Sequence, residues 1–133
     1  MKHKTNELTG AALDAAVAVN LGWMTRGTGE PITNAAEWVM PNGMKGVECP
    51  PSYSSDWAHG GPIIERENIV TALLLIDDDN FMNRAIWCAW VFGLEGHYAV
   101  DTSGGTPDAT GDSCLTAAMR AFVFSRHGDT VDL

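Results

Sequence analysis

Asp56, His59, Glu65 and Glu67 lie within one short segment, with Trp57 and Arg66 between them. Imidazole and carboxylate groups at this density can act as general acid and base, or as donors to a cation. Either role needs two of them held about a water apart with separated pKa values. Gly60-Gly61-Pro62 interrupts the set between His59 and Glu65, so spacing alone fixes no geometry. The competing reading is structural. Asp56 caps a turn, and Glu65 and Glu67 face solvent along a chain whose other side carries Ile64 and Arg66. Gly60-Gly61-Pro62 lacks the lysine of a phosphate-binding loop and the spacing of a dinucleotide fingerprint. It is expected to form a tight turn.

Other residues offer less. Of the five tryptophans, Trp87 and Trp90 sit in an apolar run and belong in a core. Trp57 sits in a polar segment and is the surface candidate, where tryptophan is a favoured anchor for a partner. Core packing is nonetheless the leading reading for it. Cys114 is placed to open a helix, where a thiol's pKa is lowered, but no base accompanies it. Asp77-Asp78-Asp79-Asn80 fails as a calcium loop. Its fifth, sixth and twelfth positions hold Phe81, Met82 and Cys88 where an oxygen donor, glycine and glutamate are needed. No catalytic set, metal set or cofactor motif is specified. Arg120, in an alanine-rich stretch, is either exposed or reaches back to pair with Glu65 or Glu67.

The elements that must position these residues follow from periodicity. Leu13, Val17 and Leu21 recur at steps of four after Leu8-Thr9, which predicts a helix capped by Thr9. Leu8 and Leu13 then form a hydrophobic staple, and Gly22 ends the helix. Residues 23–62 are rich in glycine and proline, and loops with one or two short strands are expected there, one at Glu37–Met40 with a turn after it at Asn42-Gly43. Pro50-Pro51 imposes extended backbone ahead of Tyr53. Ile69–Ile76 reads as a buried strand. Ile86–Phe92 and His97–Val100 flank Gly93–Gly96 as a hairpin. Thr102–Asp112 reads as a loop. Leu115, Met119 and Phe122 predict a second helix to about Arg126, capped by Asp112 or Ser113 and ended by Gly128. The result is one α+β domain over residues 1–133. A small antiparallel sheet is packed by two main helices, one N-terminal and one C-terminal.

Composition bounds the function class. At 133 residues and 45% hydrophobic content the chain can bury a core without staples. Its net charge of −9 disfavours nucleic acid and anionic membrane as partners. Cys49, Cys88 and Cys114 are an odd, scattered set, read as reduced cytosolic thiols. No signal peptide is read at Lys2–Glu7, and no apolar run is long enough to span a membrane.

Four pieces carry a family likeness. Ser55-Asp56-Trp57-Ala58-His59-Gly60-Gly61-Pro62-Ile63-Ile64-Glu65-Arg66-Glu67 resembles the central motif of the phage NinX-like proteins, a family of unknown function. Leu8–Val17 resembles the family's opening helix, Leu115–Val123 its closing helix, and Ser125–Asp129 its tail. Together they cover about half the chain in the right order. Cys114 stands where the family often has proline; both suit the first helical position. The resemblance implies a phage or prophage origin and a bacterial cytoplasmic setting, and it implies no activity.

The expectation is therefore an accessory protein acting through contacts with a host or phage protein. Its candidate binding residues are Asp56, Trp57, His59, Glu65, Arg66, Glu67 and Arg120. No metal or cofactor is expected. The alternative is an enzyme or small-ligand-binding protein whose polar pocket is built by Asp56–Glu67 and roofed by Trp57. An acidic mimic of nucleic acid ranks last, because the carboxylates are scattered along the chain.

Overall fold

The computed structural model describes residues 2–27, 32, 35, 37–77, 83–91 and 107–133. The first helix, α1 (Gly10–Asn20), follows strand β1 (Lys2–Lys4) and a single 3-10 turn at Thr5–Glu7. Thr9 occupies the cap position in extended backbone, without a side-chain capping bond. Leu8 and Leu13 are both buried, as a staple requires. Burial runs unbroken from Leu13 to Ala18, wider than the predicted stripe, because alanine and valine let neighbours close on several sides. The helix ends in a Schellman motif. Gly22 takes φ 102°, its N–H donates to Val19 O, and Trp23 N–H donates to Ala18 O.

Strands β2 (Met24–Arg26) and β3 (Glu37–Val39) pair antiparallel, and Trp38 also bridges Val47. Aromatic contacts hold this breaker-rich region to the body. Trp38 meets Trp23 edge-on at 6.5 Å between ring centroids. Trp23 Nε1–H donates to Tyr53 Oη at 3.1 Å. Burial raises the Tyr53 pKa above its ordinary 10.0; the Trp23 bond opposes this and the Asp14 carboxylate adds to it.

The segment expected as a tight turn is instead a helix, α2 (Trp57–Arg66). Strands β4 (Ile69–Asp77) and β5 (Asn83–Val91) then pair antiparallel along their whole length. Strand β6 (Ala109–Gly111), inside the stretch expected as a loop, extends this sheet beyond β5. The long helix α3 (Cys114–His127) is capped by Ser113, whose Oγ accepts from Thr116 N–H at 3.1 Å. Gly128 at φ 77° closes it. Strand β7 (Thr130–Asp132) returns to pair with β1, and Thr5 Oγ1–H donates to Gly128 O at 2.7 Å.

The architecture is α+β as expected, with an N-terminal and a C-terminal main helix; the described residues add the shorter α2 and divide their strands among three small antiparallel sheets. α3 is the hub: it packs against α1, α2 and strands β4, β5 and β6. Leu13 and Val17 of α1 and Met119, Phe122 and Val123 of α3 are fully buried, each contributing about 1.5–3 kcal/mol by leaving water. Trp90 is in the core as expected, and Trp87 is partly buried against it. The strand at β4 is confirmed, but its burial is not: Leu73 and Leu75 are exposed. The predicted turn at Gly93–Gly96 and its return strand lie outside the described residues, as do Asp78–Asn80. No helix among the described residues is long and apolar enough to cross a membrane.

Candidate functional site

α2 forms where a double glycine and a proline argue against a helix, because its surroundings specify it. Asp56 caps it: Oδ1 accepts from Ala58 N–H at 2.9 Å. Gly60 is buried, and a Cβ there would collide with the Tyr53 carbonyl and stand 2.7 Å from Leu115 Cδ2. Glycine is what lets this helix approach both the Tyr53 backbone and α3. Pro62 stands inside the helix on its exposed side, where water can serve the Ala58 carbonyl that loses its N–H partner. Asn68, at φ 53°, ends the helix and starts β4, in a conformation that asparagine tolerates better than most residues.

Asp56→Ala is expected to cost about 1 kcal/mol in denaturant unfolding, and Asp56→Asn only a few tenths, because asparagine caps as well. An Asn variant as unstable as the Ala variant would remove the cap as the reason for this residue.

The helix presents Trp57, His59, Glu65 and Arg66 to solvent and buries Gly60 and Ile63. His59 Nε2 is 3.8 Å from Asp56 Oδ2, beyond hydrogen-bond reach, and its ring stands edge-on to Tyr53 at 6.3 Å. Glu65 lies six residues along the helix from His59, about 9 Å along the axis. The two therefore do not converge within α2. Glu67 is held at the helix end. Its Oε1 accepts from Arg126 Nη2 at 2.6 Å and from Arg66 Nη2 at 3.3 Å. The expected pairing of Arg120 with Glu65 or Glu67 is overturned. Arg120 instead donates from Nε to Leu8 O at 2.8 Å and from Nη1 to Thr110 O at 2.7 Å. Burial lowers its pKa, against the attraction of Asp112 and Glu7. Arg126, the cation that does reach Glu67, stacks its guanidinium 5.3 Å from the Phe122 ring centroid. Its one sequence signal was a place in the last turn of α3.

Trp57 stands on the rim of a cleft of about 450 Å³. The start of α1 supplies Gly10 and Asp14, and the stretch before α2 supplies Ser54 and Ser55. The start of α3 supplies Ser113, Cys114, Leu115 and Thr116. Trp57 is the one member of the Asp56–Glu67 set in this lining. Asp14 is the residue that sequence reasoning missed. It is buried, and Oδ1 accepts from Ser54 N–H at 2.8 Å. Its signal was a carboxylate in the middle of an alanine-rich helix. Asp14 also lines a second cleft of about 290 Å³ with Trp38, Glu48 and Cys49. The Cys114 thiol meets a hydroxyl, Thr71 Oγ1 at 3.4 Å, and not a base. Among the described residues, no group of three or more His, Cys, Asp or Glu side chains is placed to hold a metal ion.

The first cleft thus joins α1, the central segment and α3, the parts whose sequences carry the family likeness. A family model described as bacteriophage P22 NinX matches residues 4–126. No curated protein matches the chain. With nearly its whole length matched, the chain belongs to the bacteriophage P22 NinX family of phage proteins.

Proposed function

We propose that the protein is a phage accessory protein that acts in the bacterial cytoplasm, as one domain over residues 1–133, by docking onto another protein. The exposed face of α2 is the contact surface and Trp57 its anchor. The observation that carries this reading is the exposure of Trp57, 57% of whose surface is open on a helix fixed from behind by Gly60 and Ile63. Ordered, exposed tryptophans are favoured as interface anchors, and His59, Glu65 and Arg66 add exposed polar groups elsewhere on the helix surface. The Glu67–Arg126 pair holds the far end of the surface in place. The net charge of −9 favours a basic partner over nucleic acid.

Capture from bacterial lysate tests this. The full chain is compared with a Trp57→Ala/Glu65→Ala variant shown to unfold at the same midpoint. A protein retained by the wild type and lost from the variant supports the surface; equal retention by both removes it. The cleft beside Trp57 favours a second reading, a small ligand hydrogen-bonded to Asp14 and the flanking serines. A metabolite screen for thermal stabilisation tests it, and that reading fails if no compound raises the unfolding temperature.

A further inference from the structure

Natural edge strands are blunted by lysine, proline, bulges or short length. β4 carries none of these devices over Ile69–Ile76. Its sequence is uncharged until Asp77, and it runs in unbroken register with β5 over nine residues. Leu73 and Leu75 are 53% and 74% exposed. Among the described residues β4 pairs with β5 alone. The hydrogen bonds of β5 fix which way the backbone of β4 points. Ala89 O accepts from Asp108 N–H at 3.0 Å, and Val91 N–H donates to Asp108 Oδ2 at 2.8 Å. Both lie on the β6 side of β5. Alternate residues of a strand direct their groups to opposite sides, so Ile86, Cys88 and Trp90 bond to Leu74, Ala72 and Val70. The backbone groups of Ile69, Thr71, Leu73, Leu75 and Asp77 therefore point out of the sheet edge.

We propose that two copies of this chain join along that edge, β4 against β4, antiparallel about a two-fold axis at Leu73. This register sets Leu73 opposite Leu73 of the second copy, Thr71 opposite Leu75, and Ile69 opposite Asp77. Every outward-facing residue meets another, which allows about ten new backbone hydrogen bonds in a continuous six-stranded sheet. The contact is self-complementary, as a two-fold interface must be. No like charges face each other along the strand. The start of each β4, near Arg66 and Arg126, meets the end of the other, where Asp77 closes the strand.

Sedimentation equilibrium on the full chain tests this. The wild type is expected to reach twice the 14.3 kDa chain mass. Leu73→Lys and Leu73→Glu each place like charges at the axis, and each is expected to weaken the dimer at least tenfold. Because Leu73 is exposed in the single chain, both variants should keep the native circular dichroism spectrum, which is checked in parallel, and their unfolding midpoint should fall only by the association lost. An equimolar mixture of the two is expected to restore the dimer as a mixed pair. A wild type that stays monomeric at every accessible concentration overturns the proposal. So does a dimer indifferent to both variants, a mixture that stays monomeric, or a monomer whose edge accepts an unrelated extended peptide instead.

Discussion

Gly60→Ala is expected to lose about 2 kcal/mol of stability in denaturant unfolding, while Gly61→Ala, one residue on, is expected to gain up to about 1 kcal/mol. Helix propensity favours alanine over glycine by about 1 kcal/mol at both positions. The difference is what a Cβ would meet. At Gly60 it meets the Tyr53 carbonyl and Leu115 Cδ2, and backbone cannot give way as a flexible side chain can. Overpacking of this kind costs about 1–3 kcal/mol or more, which outweighs the propensity gain. At Gly61 the nearest atom is Trp57 Cε3 at 3.7 Å, an ordinary contact. If both variants shift stability in the same direction, α2 does not pack as described. The comparison also separates a helix from the tight turn that the sequence suggests, because a turn would penalise both substitutions.

The second large effect belongs to Arg120. Its guanidinium links α3 to the residue before the α1 cap and to β6 by donating to Leu8 O and Thr110 O. Arg120→Met keeps much of the volume and removes both bonds, leaving two carbonyls short of a donor. Hydrogen bonds from a charged group are each worth about 1.5–3 kcal/mol. Arg120 is only half-buried, so water recovers part, and a net loss of about 3 kcal/mol is expected. Arg120→Lys is expected to recover less than half of it, because an ammonium is a point charge and cannot reproduce the fork. Glu65→Ala, by contrast, should leave stability within about 0.5 kcal/mol, as suits an exposed residue on the surface of α2. Equal losses at Arg120 and Glu65 would reinstate the pairing that the structure excludes.

These two sites show what sequence patterning can and cannot carry. α1 and α3 were legible to their caps, because Leu13, Val17, Met119 and Phe122 repeat at helical spacing between recognisable stop signals. α2 was not. Its glycines and proline are helix-breaking by local propensity, and the need for Gly60 lies in two distant neighbours, Tyr53 and Leu115. Local preference lost to tertiary packing. The strand at β4 was legible from its β-branched ends. Its exposure was not, because an uninterrupted apolar run reads the same whether one face or both are covered. Arg120 illustrates the limit for charged residues. A carboxylate is the obvious partner on paper, but backbone carbonyls at the ends of distant elements leave no signature in the sequence. Asp14 was passed over for a related reason, since its partner is the backbone N–H of Ser54.

Of the candidate residues, the structure gathers Trp57, His59, Glu65 and Arg66 on the open side of α2, uses Asp56 and Glu67 to fix its two ends, and moves Arg120 to another part of the fold. The proposed docking surface therefore rests on Trp57 more than on any ionisable group. The most direct measurement is site-specific photo-cross-linking in the infected bacterium, with a photoreactive phenylalanine analogue at position 57 and, as control, at the equally exposed Met44. Position 57 is expected to give one discrete cross-linked protein that position 44 does not. No adduct at position 57, or the same adducts at both positions, would contradict a docking role for α2.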